Sequence, residues 1–161
     1  MTEKRLKIHN YLGMTIDYSA KGKVMFTMYD YIDNFLEDLP SEMRGSTQSH
    51  ASSMLFKINI ENPILLKKLE QETFHQRVAQ LLYLSKRAQP DIQLPVAFLC
   101  TRMQFPDTDD QLKLVHVAKY LDATIGLPLI LSMDGMGEMR WHVDASFAVH
   151  NDMKSQIPER P

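Results

Sequence analysis

Of the residues able to carry chemistry, Asp144 stands in the most favourable setting. It lies within Arg140-Trp141-His142-Val143-Asp144-Ala145-Ser146-Phe147, where a strand with apolar flanks could hold a carboxylate at the edge of a sheet. The chemistry such a carboxylate serves is phosphodiester hydrolysis by two metal ions, which needs several acidic ligands to hold a pair of ions about 3.5–4 Å apart. Around Asp144 only an unusual set with Asp134 and Asp152 offers itself. On composition alone Asp144 therefore reads as an ordinary strand-end aspartate. The six histidines are scattered, and no HExxH or CxxC pair exists, which argues against zinc chemistry. His75 and His116 fall within helical patterns and read as surface or packed side chains. No glycine-rich phosphate loop is present. The single cysteine, Cys100, sits in the apolar run VAFLC and reads as a buried thiol.

The elements that would position these residues follow from the apolar periodicity. Apolar residues alternate through Ile8, Leu12, Met14 and Ile16, and again through Val24, Phe26 and Met28, with Ser19-Ala20-Lys21-Gly22 between them. That pattern predicts a β-hairpin. From Tyr29 the period becomes helical through Ile32, Phe35, Leu36 and Leu39, and Pro40 ends it. Residues Ser41 to Ser53 are rich in Ser, Thr, Gln, His and Gly with no period, and read as a solvated linker.

Three helical patterns follow. The first carries Phe74, Val78, Leu81, Leu82 and Ser85 and breaks near Gln89-Pro90; the second carries Ile92, Val96, Leu99, Cys100 and Met103. The third opens at Asp107-Thr108-Asp109-Asp110, where a cap and an acidic first turn suit the positive end of the helix dipole, and runs through Leu114, Val117, Ala118 and Leu121 to Gly126. Leu127 to Ser132 and Met139 to Phe147 look like strands joined by Met133-Asp134-Gly135-Met136-Gly137, and the proline-bearing tail from Gln156 reads as frayed.

Composition bounds what these elements can do. With 161 residues, 44% apolar and 24% charged, the chain can bury a core without disulfides, and neither disorder nor a membrane class is implied. No apolar run reaches the roughly 18 residues needed to cross a bilayer. The polar start MTEKRLKIHN has no signal-peptide core, so the expected setting is intracellular, cytoplasmic or nuclear, with no membrane partner. Eighteen Lys and Arg against twenty Asp and Glu give no global attraction to a polyanion. Any nucleic-acid contact must be local.

Taken in order, several segments resemble the reverse transcriptase and RNase H region of copia-type long-terminal-repeat retrotransposons. They are Tyr11-Leu12-Gly13-Met14 with Met28-Tyr29-Asp30-Tyr31-Ile32; Val78-Ala79-Gln80-Leu81-Leu82-Tyr83-Leu84; Pro90-Asp91-Ile92 with Val96-Ala97-Phe98-Leu99; Lys119-Tyr120-Leu121 with Thr124-Ile125-Gly126-Leu127; and Val143-Asp144-Ala145-Ser146-Phe147-Ala148 with Asp152-Met153-Lys154-Ser155. Each motif is modest, but the ordered series is specific and covers most of the chain. The resemblance implies an α+β fold. It comprises a primer-grip-like hairpin and helix (1–40), a linker (41–53), a helical region like the thumb and connection (54–126), and the strands that begin an RNase H-like sheet (127–161).

By the same resemblance, Leu12, Gly13, Met14 and Tyr29 are the expected nucleic-acid contacts, with an RNA/DNA primer-template and the rest of the Pol polyprotein as partners. Asp144 becomes the expected first metal-binding carboxylate of RNase H, in an incomplete site. The family works with Mg2+, held in the polymerase by the paired aspartates of YxDD and another carboxylate upstream. This sequence is expected to begin after all of these and to stop before the remaining RNase H acids, so no stably bound metal and no catalysis by the isolated chain are expected. Gln89 stands where the family usually has arginine, and Asp122-Ala123 where it has a basic residue and glycine. Pro95 stands where a helix former is expected, at a cost of ~3 kcal/mol if truly interior. The end, Gln156-Ile157-Pro158, departs from the expected small-residue turn. These departures are read as decay of a retroelement. The alternative is a domesticated helical module in which Phe74 to Leu121 bind a protein partner.

Overall fold

In the computed structural model, which describes residues 6–133, the amino-terminal alternation forms three strands. These are β1 (Ile8–Tyr11), β2 (Met14–Asp17) and β3 (Lys23–Thr27). The single first strand expected from the pattern is cut by a two-residue turn at Leu12 and Gly13, whose φ angles are +49° and +75°. Two left-handed residues between the paired Tyr11 and Met14 make a tight hairpin whose twist matches that of its strands. The turn escapes the pattern because Leu12 is apolar and keeps the alternation in phase; only Gly13 marks the break.

The chain then enters α1 (Tyr29–Glu37), which buries Ile32, Phe35 and Leu36 as its spacing predicts. Residues 41–53 do not simply trail through solvent. A 3-10 turn at Ser41–Met43 is followed by contacts that tie this stretch to the helices on either side. Arg44 Nε donates to Leu36 O at 3.1 Å, Gly45 N donates to Asp122 Oδ2 at 3.3 Å, and His116 Nε2 lies 2.8 Å from Ser49 O. Met43 and Ala51 pack against the core, and Leu55 just beyond is buried.

The helical region consists of α2 (Lys68–Ser85), α3 (Gln93–Arg102) and α4 (Thr108–Thr124). In α2 the buried face is Phe74, Val78, Leu81, Leu84 and Ser85; Leu82, expected on that face, is 36% exposed. From Val78 both Leu81 and Leu82 satisfy helical spacing, and it is Leu81 and Leu84 that are buried in the core. Pro95 is the third residue of α3 and is buried. In a first turn the amide it lacks has no partner within the helix, so the penalty anticipated for an interior proline does not apply. At the start of α4, Asp107 Oδ1 accepts from Asp110 N at 2.8 Å while Asp110 Oδ2 accepts from Asp107 N at 3.3 Å, a reciprocal cap.

One apolar core runs from Met28 and α1 through Phe74, Val78, Leu81, Ile92, Val96, Phe98 and Leu99 to Leu114, Val117 and Leu121. Each fully buried Leu, Val or Phe contributes about 1.5–3 kcal/mol of transfer free energy. After α4 the chain returns to the sheet: β4 (Leu129–Ser132) pairs antiparallel with β3, Met25 opposite Ile130 and Phe26 opposite Leu129. The sheet order is β1-β2-β3-β4, and the class is α+β. The second expected carboxy-terminal strand, Met139 to Phe147, lies outside the described residues.

Candidate nucleic-acid interface

The β1–β2 turn stands away from the core yet is not loose. Leu12 is 56% exposed, while Met14 is half-buried and packs against the core. A Cβ added to Gly13 would lie 3.8 Å from the end of the Met28 side chain, an ordinary contact, so glycine is favoured here by its positive φ and not by lack of room. Behind the turn stands Tyr83 of α2, whose hydroxyl donates to Leu12 O at 2.6 Å.

Tyr83 is itself held by two neighbours. The Tyr31 ring lies 5.4 Å away at a 32° tilt, and the Arg87 guanidinium sits 3.6 Å above the Tyr83 ring centre. Arg87 also donates to Tyr83 O at 3.2 Å, the i and i+4 geometry of one helical turn. The Tyr31 hydroxyl donates to Gln80 O at 3.2 Å. Burial pushes the Tyr31 phenol above its usual range, the neighbouring Tyr83 adds to this, and Arg87 opposes both. Tyr29 begins α1 directly after Met28, is partly exposed, and its hydroxyl reaches Gly126 O at 3.4 Å.

Leu12, Gly13 and Met14 are thus brought together in one turn. Tyr29 is set at the adjoining start of α1, with its hydroxyl directed to the connection between α4 and β4. Tyr83, Arg87 and Tyr31 were not picked out as site residues by sequence reasoning. The four-residue spacing of Tyr83 and Arg87 on a helix could have flagged their stacking; the pairing of Tyr83 with Leu12, far apart in the chain, could not. The exposed Lys86 and the half-buried Arg87 place two cations at this end of α2, local positive charge on a chain whose net charge is -2.

Comparison with protein-family models, with curated proteins and with solved structures found no match. The reading of the site therefore rests on its own geometry.

Elsewhere, two titratable groups with shifted ionisation sit in packed settings. Asp91, in the Pro90-Asp91-Ile92 turn, accepts from the Tyr120 hydroxyl at 2.5 Å and ties the start of α3 to α4. That bond, with burial and the carboxylate's charge behind it, pushes the Tyr120 phenol up to about 12. Burial raises the Cys100 thiol, which suits a packed residue rather than a nucleophile. Among the described residues no group of three or more His, Cys, Asp or Glu is placed to hold a metal ion, and no helix is long and apolar enough to cross a membrane. Asp134, Asp144 and Asp152 lie outside the described residues.

Proposed function

We propose that this chain is the part of a copia-type reverse transcriptase that lies behind the polymerase catalytic motif, a non-catalytic piece that touches a primer-template through the β1–β2 turn. The observation that carries the reading is the Leu12-Gly13 turn: left-handed at both residues, exposed at its tip, and seated on α2 beside two cations. A rigid backbone turn next to the thumb-like helices α2 to α4 can rest on a nucleic-acid backbone without reading base sequence. On this reading Asp144 corresponds to the first carboxylate of an RNase H site, whose chemistry in the parent family uses magnesium.

The test is fluorescence anisotropy with a labelled DNA primer annealed to an RNA template. Binding is expected to weaken steeply as salt rises, through counterion release. The same protein is expected to show no nucleotide incorporation and no magnesium-dependent cleavage above an Asp144→Asn control. Salt-independent or undetectable binding would end the nucleic-acid reading, and cleavage that the control lacks would end the non-catalytic one.

A second reading, a helical module for a protein partner, is favoured by one feature. Ile64, Leu65 and Leu112 are all more than half exposed and line an apolar groove of about 510 Å³ between residues 64–67 and α4.

A further inference from the structure

We propose that Tyr83 is a positioning residue: its hydroxyl fixes the β1–β2 turn in the pose that meets a nucleic-acid strand. This rests on the primer-template reading above.

Apart from Met14, which packs against the core on the β2 side, the turn has little else to hold it. β1 is the edge strand of the sheet, four residues long, and every one of its side chains is exposed. Leu12 adopts a left-handed backbone that a branched side chain disfavours, so the turn is locally strained as well as thinly supported. Short exposed hairpins with such features open readily on their own. The hydrogen bond from Tyr83 to Leu12 O, 2.6 Å long, bridges the tip to the middle of the helical region.

The donor side of that bond is built for constancy. The Tyr83 ring contacts both Tyr31 and Arg87, and Arg87 is in turn bonded to the Tyr83 carbonyl. A swing of the ring would break both contacts, which therefore favour the pose in which the hydroxyl meets Leu12 O. Tyr31, bonded to Gln80 O, adds α1 to the same assembly. The turn, α1 and α2 therefore share one small rigid junction, and the accessible side of the turn is set by a single phenolic oxygen. Such a bond is worth little to global stability because water replaces it on both partners. Its larger effect is on the spread of turn positions, and binding depends on that spread.

The experiment compares the full chain with Tyr83→Phe, which keeps the ring and its contacts, and with Tyr18→Phe, which changes an exposed tyrosine in the connection between β2 and β3. Three quantities are read: amide hydrogen exchange at Gly13 and Met14, the melting temperature, and primer-template affinity over a range of salt. Tyr83→Phe is expected to speed exchange at the turn and weaken affinity by about three- to tenfold. It should leave the melting temperature and the slope of affinity against salt unchanged, because no phosphate contact is lost. Tyr18→Phe should match the parent protein throughout.

Unchanged exchange in Tyr83→Phe overturns the proposal, since the bond then holds nothing. Faster exchange with unaltered affinity also overturns it, because the turn's pose then does not matter to the ligand. A parent protein with no salt-dependent binding defeats the nucleic-acid reading itself and the positioning role with it. Failure of the positioning role and failure of the nucleic-acid reading are distinguishable because only the last of these outcomes appears before any substitution is made.

Discussion

Replacing Asp110 by asparagine gives a sharp measure of what holds α4 in place. Asp110 is 1% exposed. Its Oδ2 accepts from Arg102 Nε at 3.0 Å and from Asp107 N at 3.3 Å, and its Oδ1 lies 3.3 Å from Lys113 Nζ. Arg102 and Lys113 keep only 12% and 7% of their side chains exposed, so neither can recover full hydration once the carboxylate is gone. Removing one partner from a buried ion pair costs about 3–5 kcal/mol, most of it from the charge left behind. Asparagine retains one acceptor, Asp107 still lies 3.7 Å from Arg102, and Lys113 still donates to Lys57 O at 2.7 Å. These remaining contacts place the expected loss near the lower end, about 3 kcal/mol. With total stabilities of roughly 5–15 kcal/mol, that should be visible as a clear drop in the urea midpoint followed by circular dichroism at 222 nm. The double variant Asp110→Asn with Lys113→Met should lose less than the two single losses added, because it removes the stranded ammonium. A loss below about 1 kcal/mol, or strict additivity, would mean that water reaches the network and that the charges do not depend on one another.

Two further outcomes follow from local geometry. Leu12→Asn should stabilise the chain by about 0.5–1 kcal/mol, since Asn-Gly suits two left-handed turn residues where leucine does not, with the urea midpoint as readout; a lower midpoint would contradict the assigned turn. The second concerns Tyr120, whose phenol is raised from 10.0 to about 12 by its bond to Asp91. A raised folded-state value means that the protonated phenol favours the fold; this contribution is complete below pH 10 and is lost as pH climbs to about 12. Ultraviolet titration near 295 nm should show a late-titrating phenol that Tyr120→Phe removes, and an unchanged late phase in that variant would rule out the assignment.

Much of the helical region is legible in the residue pattern. Phe74, Val78 and Leu81 repeat at helical spacing and are buried, and the acidic opening at Asp107 and Asp110 forms the cap that its composition announces. Local signals sufficed there because a helix is specified by neighbours three and four residues apart. The turn at Leu12 was hidden because alternation cannot register a two-residue reversal that preserves parity. Leu84 and Leu82 could not be ranked because their burial depends on where α3 lies. The acidic opening at Asp107 to Asp110 reads in the sequence as an ordinary cap; its pairing with Arg102 and Lys113, and the bonds from Leu66 N to Pro106 O and from Thr108 N to Ile64 O that join residues 64–66 to 106–108, depend on the tertiary fold. Leu12, Gly13 and Met14 were expected to act together and do share one turn, whereas the tyrosine junction behind them depends on tertiary proximity alone.

The pairing of β4 with β3 has a kinetic consequence. Met25 cannot meet Ile130 until every helix has been synthesised and has drawn the intervening chain together. Closing so long a loop is entropically costly, and separations of this kind slow folding well below the rate of a simple helical bundle. While the polypeptide is still emerging from the ribosome, β3 presents an unpaired edge carrying Val24, Met25 and Phe26, and this interval is when the chain is most exposed to sticking to its neighbours.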